Sequence, residues 1–157
     1  MEKEFLKTIH GNQQIIYKVC RMYRDNKEDQ EDLFQEIVYQ LWKSYPTFKG
    51  ESKVSSWLYR IALNTSIAVY RKANPIIDNY AEFPENMHPL EEVAVSENEE
   101  RLFSALRKLN NAEKAVISLY LEDFNYQEIA EITGLSESNV GVKLNRIKNK
   151  LKILINE

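Results

Sequence analysis

Residues 125–151 leave this chain little choice of structure. Asn125 is followed three positions later by Glu128, Gly134 closes the run from Tyr126 to Thr133, and Ser136 opens a long segment ending near Leu151. Asn125 and Glu128 are spaced for a capping box, in which each side chain satisfies the other's backbone N–H, and Ser136 is placed to cap a helix beginning at Glu137. Gly134 can take the left-handed backbone that ends one helix and redirects the chain, and Ala130 is small enough for two helices to cross closely. The expected result is a short helix, a glycine turn and a long second helix held across the first, the helix-turn-helix layout used to read duplex DNA.

The second helix has two predicted faces. Val140, Leu144, Ile147, Leu151 and Leu154 alternate spacings of four and three, which gathers them into one inward stripe at about 100° per residue. The opposite face carries Ser138, Gly141, Val142, Asn145, Lys148 and Asn149, flanked by Asn139, Lys143, Arg146 and Lys150. No acidic residue falls between Glu137 and Glu157. A solvated lysine-rich surface explains that charge equally well on its own; the glycine turn and the two caps are what favour a nucleic-acid face.

The rest of the chain reads as helical too. Its 157 residues contain four Gly and four Pro and no β-rich run, so the expected fold class is all-α. Two small domains are expected, an N-terminal helical bundle over 1–72 and a C-terminal helix-turn-helix domain over 99–157, joined by an acidic linker over 73–98. Charge marks the division. The net charge of −3 looks wrong for a DNA binder, but residues 1–72 hold twelve Lys/Arg against nine Asp/Glu, and residues 101–157 hold nine against seven. Residues 73–100 hold no cation, eight carboxylates, and Pro75, Pro84 and Pro89, the composition of a spacer.

Other classes find no support. No apolar run is long enough to cross a bilayer and no signal-peptide pattern is present, so the expected location is cytoplasmic without membrane insertion. Cys20 stands alone and is expected to pack as a small apolar residue. His10 and His88 have no companion ligands, and neither a phosphate loop nor a nucleophile and base pair is present. No catalytic residue, metal or cofactor is therefore expected.

In the N-terminal domain three helices are predicted, over Glu4–Asp25, over Asp29–Tyr45 with a cap near Asp29 and a stop before Pro46, and from a Ser52 cap to about Lys72. On the third, Val54, Leu58, Ile61, Thr65 and Ala68 are predicted to face inward. Beside them Lys53, Trp57, Arg60, Asn64 and Arg71 share a narrow arc of cations, a flat ring and an amide. Such a stripe suits single-stranded nucleic acid, whose phosphates meet Lys/Arg and whose unstacked bases rest on rings. A tryptophan beside an apolar stripe is also a common core residue, and both readings stay open at this point.

Three further segments carry a resemblance. The run Glu31-Asp32-Leu33-Phe34-Gln35-Glu36, the run Phe48-Lys49-Gly50-Glu51-Ser52 and the run Trp57-Leu58-Tyr59-Arg60-Ile61-Ala62-Leu63-Asn64, followed by an acidic linker and the helix-turn-helix, closely resemble the extracytoplasmic-function (ECF) group of bacterial sigma factors. The resemblance covers nearly the whole chain, with two independent domains in the right order.

The resemblance implies partners and roles. Asp32, Leu33, Gln35 and Glu36 correspond to the surface that docks on a coiled coil in the largest subunit of core RNA polymerase, and the C-terminal domain to the part that meets the flap region. Lys53, Trp57, Tyr59, Arg60, Asn64 and Arg71 correspond to the −10 surface, which melts the promoter and holds a flipped base. Ala68 departs from the Asp or Asn usual there, and Tyr70 is open to stacking or packing. Ser138, Asn139, Gly141, Val142, Lys143, Asn145, Arg146, Lys148 and Lys150 correspond to the −35 surface. Gly141, Val142, Asn145 and Arg146 are expected at base edges, and Lys143, Lys148 and Lys150 at phosphates. Where the family more often has Lys/Arg and then Ser, this chain has Gly141-Val142, and the glycine is expected to let the helix approach DNA closely. Asp78, Glu82 and Glu85 correspond to a connector that imitates nucleic acid near the polymerase cleft, with simple spacing as the alternative. An anti-sigma factor or another targeting partner is compatible with the pattern. Competing classes are a helix-turn-helix regulator that is not a sigma subunit, and a polymerase adaptor that does not touch DNA.

Overall fold

The computed structural model describes residues 2–48, 50, 53–71 and 96–156. Every regular element among them is helical, arranged in two compact units that lie before and after residue 92. The linker candidates Asp78, Glu82 and Glu85, together with His88, lie outside the described residues.

The first unit is built from α1 (Glu2–Gly11), α2 (Gln13–Tyr23), α3 (Lys27–Ser44), a 3₁₀ turn (Tyr45–Thr47) and α4 (Val54–Arg71). The single helix expected over Glu4–Asp25 is two helices. Asn12 interrupts it: its backbone leaves the helical region at φ −124°, ψ 15°, and its Nδ2 donates back to the Thr8 carbonyl at 2.8 Å, closing α1 locally. The cap of α3 is Asn26 rather than Asp29, since the Asn26 Oδ1 accepts the Asp29 N–H at 2.8 Å. Pro46 falls inside the 3₁₀ turn, where the α-helix has already ended at Ser44.

Three helices make the core of this unit, α2, α3 and α4 packing pairwise. Ile16, Val19, Cys20, Leu33, Phe34, Ile37, Val38, Leu41, Leu58, Tyr59 and Ala62 are buried. At about 1.5–3 kcal/mol per large apolar side chain, this burial is the main force holding the unit together. Cys20 is fully buried, and that burial pushes its thiol far up, with Arg24 opposing the shift only in part. It behaves as a small apolar residue, as expected. Arg24 closes the end of α2 against α4, its guanidinium donating to the Tyr23 carbonyl at 2.8 Å and the Ser66 carbonyl at 3.3 Å.

The second unit contains α5 (Glu97–Arg107), α6 (Asn111–Leu121), α7 (Tyr126–Thr133) and α8 (Glu137–Ile155). α8 packs against all three others, and α6 also packs on α7. Phe103, Leu106, Val116, Leu119, Phe124, Ile129, Val140, Leu144 and Ile147 fill the centre. Local signals agree with this packing: both α6 and α7 begin with complete capping boxes, Asn110 with Glu113 and Asn125 with Glu128. Gly134 has φ +80° and its N–H returns to the Ala130 carbonyl at 2.8 Å, ending α7 as predicted.

Candidate nucleic-acid interface

α8 has one face that cannot be reached and one that can. The Ser136 Oγ accepts the Asn139 N–H at 3.1 Å, which fixes the helix start. Burial of Val140, Leu144 and Ile147 then fixes its rotation. Ser138, Asn139, Asn145, Arg146, Lys148, Asn149 and Lys150 are exposed, Val142 is 48% exposed, and Gly141 and Lys143 are half-buried. Leu151 and Leu154, expected on the inward stripe, are half-buried near the helix end.

The cations along this helix are held differently. Lys148 Nζ lies 4.5 Å from the Tyr120 ring centroid and donates to the Tyr120 hydroxyl at 3.1 Å. Lys150 Nζ donates to both carboxylate oxygens of Glu113, at 3.1 and 3.3 Å. Glu113 is the N3 residue of the α6 capping box, its Oε1 accepting the Asn110 N–H at 3.0 Å. Burial pushes the Glu113 carboxyl up, but the Asn110 N–H, the Lys150 ammonium and the nearby Lys143 charge outweigh it and hold the group below its ordinary value. Lys148 and Lys150 thus have protein partners already, and a phosphate would have to compete for them. The Lys150 side chain is 50% exposed, so its ion pair is weak and exchangeable.

Gly141 does not leave an empty approach to DNA. A Cβ built at this position would lie 3.4 Å from Cε2 and 3.9 Å from Cδ2 of Tyr126, so the tyrosine ring occupies the space beside the glycine. Those are ordinary van der Waals distances, so the ring borders Gly141 without requiring a glycine there. Sequence periodicity missed this contact because it joins two helices across the turn.

In the first unit, Trp57, Arg60 and Asn64 follow spacings of three and four along α4 and share a face. Arg60 and Asn64 are exposed, as is Lys53 just before the helix. Trp57 is half-buried, its ring 4.7 Å from Phe48 and 6.2 Å from Tyr45 between centroids. Tyr45 in turn meets Phe5 at 5.2 Å, and Phe5 meets Trp42 at 5.0 Å. This run of rings anchors Trp57 on one side and leaves part of it at the surface, so the two readings of the tryptophan are compatible.

The rotation of α4 differs from the prediction. Leu58 and Thr65 are buried, but Val54 is 36% exposed, Ile61 is half-buried and Ala68 is exposed. Tyr59, Ala62, Leu63 and Ser66 are buried in their place. Tyr59 was expected at the nucleic-acid surface; at 1% exposure it is a core residue, because α4 lies against both α2 and α3 and hides a wider arc than one stripe. Arg71 is the last residue of α4, and its side chain lies outside the described set, as do Tyr70's side chain and residues 49, 51 and 52.

A third surface lies on α3. Asp32 and Gln35 are exposed, and Glu36 is half-buried with its Oε1 accepting from Gln40 Nε2 at 3.1 Å. Leu33 is only 2% exposed and anchors the helix from inside; it cannot contribute to a docking contact as expected. Among the described residues no group of acidic, His and Cys side chains is arranged to hold a metal ion, and no helix is long and apolar enough to cross a membrane.

Comparison with known proteins matches both units separately. The family model for Sigma-70 region 2 matches residues 8–75, and that for Sigma-70, region 4 matches residues 99–151. The chain is 30% identical over 146 residues to the RNA polymerase sigma factor SigV of Bacillus subtilis, covering 92% of this chain and 87% of the relative. It is 31% identical over 148 residues to the ECF RNA polymerase sigma-E factor of Haemophilus influenzae, covering 83% and 78% respectively. Among solved structures, CnrH in complex with the cytosolic domain of CnrY matches with TM-score 0.70 at 21% identity, over 99% of this chain and 90% of that one. The sigma factor RpoE of Bartonella quintana, in complex with the anti-sigma factor NepR, matches with TM-score 0.68 at 21% identity, over 99% and 96%. At that identity the structural likeness speaks for the fold.

Proposed function

The chain belongs to the ECF group of the sigma-70 family, and from that membership we propose how its surfaces divide the work of initiation. It is a sigma factor that binds core RNA polymerase and directs promoter recognition, promoter melting and transcription initiation. Bond formation belongs to the polymerase; the protein is an initiation factor and not an enzyme. One observation carries the assignment of surfaces: each matched region contains a helix with a buried side and a polar, cation-bearing outer side.

In the proposed division, residues 1–72 form the docking and −10 domain and residues 99–157 the −35 domain, with 73–98 as the connector. Asp32, Gln35 and Glu36 dock on the largest-subunit coiled coil. Their carboxylates and amide steer a basic helix into register, while Leu33 sets their position from below. Lys53, Arg60 and Asn64 take the melted −10 strand, with the exposed part of Trp57 as a stacking surface. Unstacking a base costs a few kcal/mol, and pocket and phosphate contacts offset that cost only for the right base. α8 enters the major groove at −35. Asn145 reads adenine, Val142 a thymine methyl, Arg146 a base edge or phosphate, and Ser138, Asn139 and Lys143 support the backbone contacts. The second unit also meets the flap region of core polymerase. Masking by an anti-sigma factor is part of the proposal by analogy with the structural relatives, two of which were solved with such partners or a cytosolic partner domain.

The test is transcription in vitro with core polymerase of the source bacterium, the full-length chain and fragmented genomic DNA, reading transcript 5′ ends by sequencing. Initiation at sites sharing two spaced motifs is the expected result. Stable binding to core without selective initiation would point to a required targeting partner, and no binding to core would overturn the docking surface.

A further inference from the structure

We infer that Glu113 limits the promoter affinity of the −35 domain by competing with phosphate for Lys150, acting as a positioning residue for that lysine. The inference rests on α8 being the DNA-reading helix. It gives a carboxylate on α6 a part in an interface built on α8.

The cations of α8 are not scattered. Lys143, Arg146 and Lys150 follow spacings of three and four and form one row along a single flank of the helix. Lys148 lies about 160° around the helix from Lys150, on the flank of Gly141 and Asn145. The row offers three charges to one wall of the groove. Glu113 stands at its end. Lys150 Nζ donates to Oε1 at 3.1 Å and to Oε2 at 3.3 Å, and the Lys143 charge acts on the same carboxylate.

The acid is fixed and the lysine is the movable partner. Glu113 Oε1 accepts the Asn110 N–H at 3.0 Å, and Asn110 Oδ1 accepts the Glu113 N–H at 2.8 Å. The Glu113 side chain is only 12% exposed, against 50% for Lys150. When the lysine turns to a phosphate, the carboxylate therefore stays behind, poorly solvated and without its ion pair. A pair this exposed on the lysine side adds little to folding, and its effect falls on binding instead.

The two lysines held by α6 differ in kind. Tyr120 holds Lys148 with a neutral ring and hydroxyl, which leaves the charge of the lysine in place. Glu113 cancels the charge of Lys150. Counterion release counts the phosphates that are neutralised, at about 0.9 in log–log slope for each. The salt dependence of the −35 contact should thus be one cation smaller than the row implies.

The experiment uses holoenzyme assembled with the full-length chain and duplex promoter fragments recovered from wild-type initiation sites, with affinity measured over a salt series. Glu113→Gln removes the charge but keeps an acceptor for the Asn110 N–H, since glutamine also serves at the third position of a capping box. It is expected to bind about fivefold tighter at about 0.1 M salt and to steepen the log–log slope by about 0.9. Lys150→Ala and the double variant should share one slope close to that of wild type, because the steepening needs the freed lysine. Thermal unfolding of each variant follows stability separately, and a purely structural role would move that midpoint without moving the salt slope. Wild-type affinity and slope in Glu113→Gln, in a preparation where Asn145→Ala alters promoter choice, would overturn this inference and leave the sigma assignment standing. A steepening that persists without Lys150 would overturn it too, since the cause would then be the general field of a lost carboxylate. So would a slope flattened by about one in Lys150→Ala alone, which would mean that Lys150 already meets phosphate beside Glu113. If wild-type holoenzyme selected no sites, both readings would fall together.

Discussion

α4 and α8 each present a polar, cation-bearing outer face, and they differ in how much of themselves they hide. α8 fully buries one stripe, Val140, Leu144 and Ile147, has Gly141, Lys143, Leu151 and Leu154 half-buried, and exposes a polar face on which Lys148 and Lys150 are held by Tyr120 and Glu113. α4 packs against both α2 and α3 and buries Leu58, Tyr59, Ala62, Leu63, Thr65 and Ser66. Its accessible face is correspondingly narrow. A helix with one buried stripe and a broad exposed face can change its outer residues with little effect on folding. A helix with a wide buried arc has to fit its surface residues into what remains.

The largest test of that contrast is a pair of core truncations. Tyr59→Ala should destabilise the first unit by about 3–5 kcal/mol and Leu144→Ala the second by about 2–5 kcal/mol, each leaving the other unit's hydrogen-exchange protection unchanged. A loss below about 1 kcal/mol for Tyr59→Ala would return that ring to the surface and remove the contrast. Next in size, Asn145→Ala should cost about 1–3 kcal/mol of base discrimination, seen as a changed −35 preference among selected initiation sites with folding stability intact. If the preferred sequence stays the same, Asn145 does not read bases.

Gly134→Ala should destabilise the second unit by about 1 kcal/mol or more in denaturant unfolding, because φ +80° is strained for any side-chain-bearing residue there. The smallest effect is acid sensitivity. The Glu113 carboxyl sits below its ordinary value in the folded state, so its stabilisation is present at neutral pH and is lost as pH falls through the carboxylate range. Glu113→Gln should flatten that part of the stability curve for the second unit, measured by thermal unfolding at stepped pH. An unchanged slope would mean that the Lys150 and Asn110 contacts contribute nothing to folding.

Legibility in the sequence followed the same contrast. Caps and turns in the second unit depend on neighbours within four residues, so Asn125, Glu128, Gly134 and Ser136 could be read directly. One-sided burial of α8 made its polar face follow from period alone. The break at Asn12 uses a side chain bending back to Thr8, and its local signal was the pair Gly11-Asn12, a helix breaker followed by a capping residue, inside an otherwise continuous helical pattern. The rotation of α4 depends on two partner helices, and a periodic pattern containing Val54, Ile61 and Ala68 looked as good as the real one. Leu33 was misplaced for a related reason: a docking motif read as a block includes the residue that holds it in place. Tyr126 on Gly141, and the lysines on Tyr120 and Glu113, are contacts between helices that no local pattern encodes.

The chain of rings in the first unit has an optical consequence. Both tryptophans, Trp42 and Trp57, lie in that unit, and the other unit has none. Indole emission from the unlabelled protein therefore reports on one half of the molecule alone. Both tryptophans are half-buried; Trp42 sits against Phe5, whereas Trp57 shares the face of Arg60 and Asn64. Replacing Trp42 with phenylalanine would leave a single built-in fluorophore at the proposed −10 surface, blind to events at α8, and quenching on addition of single-stranded promoter DNA would be the expected sign of a base stacking on it.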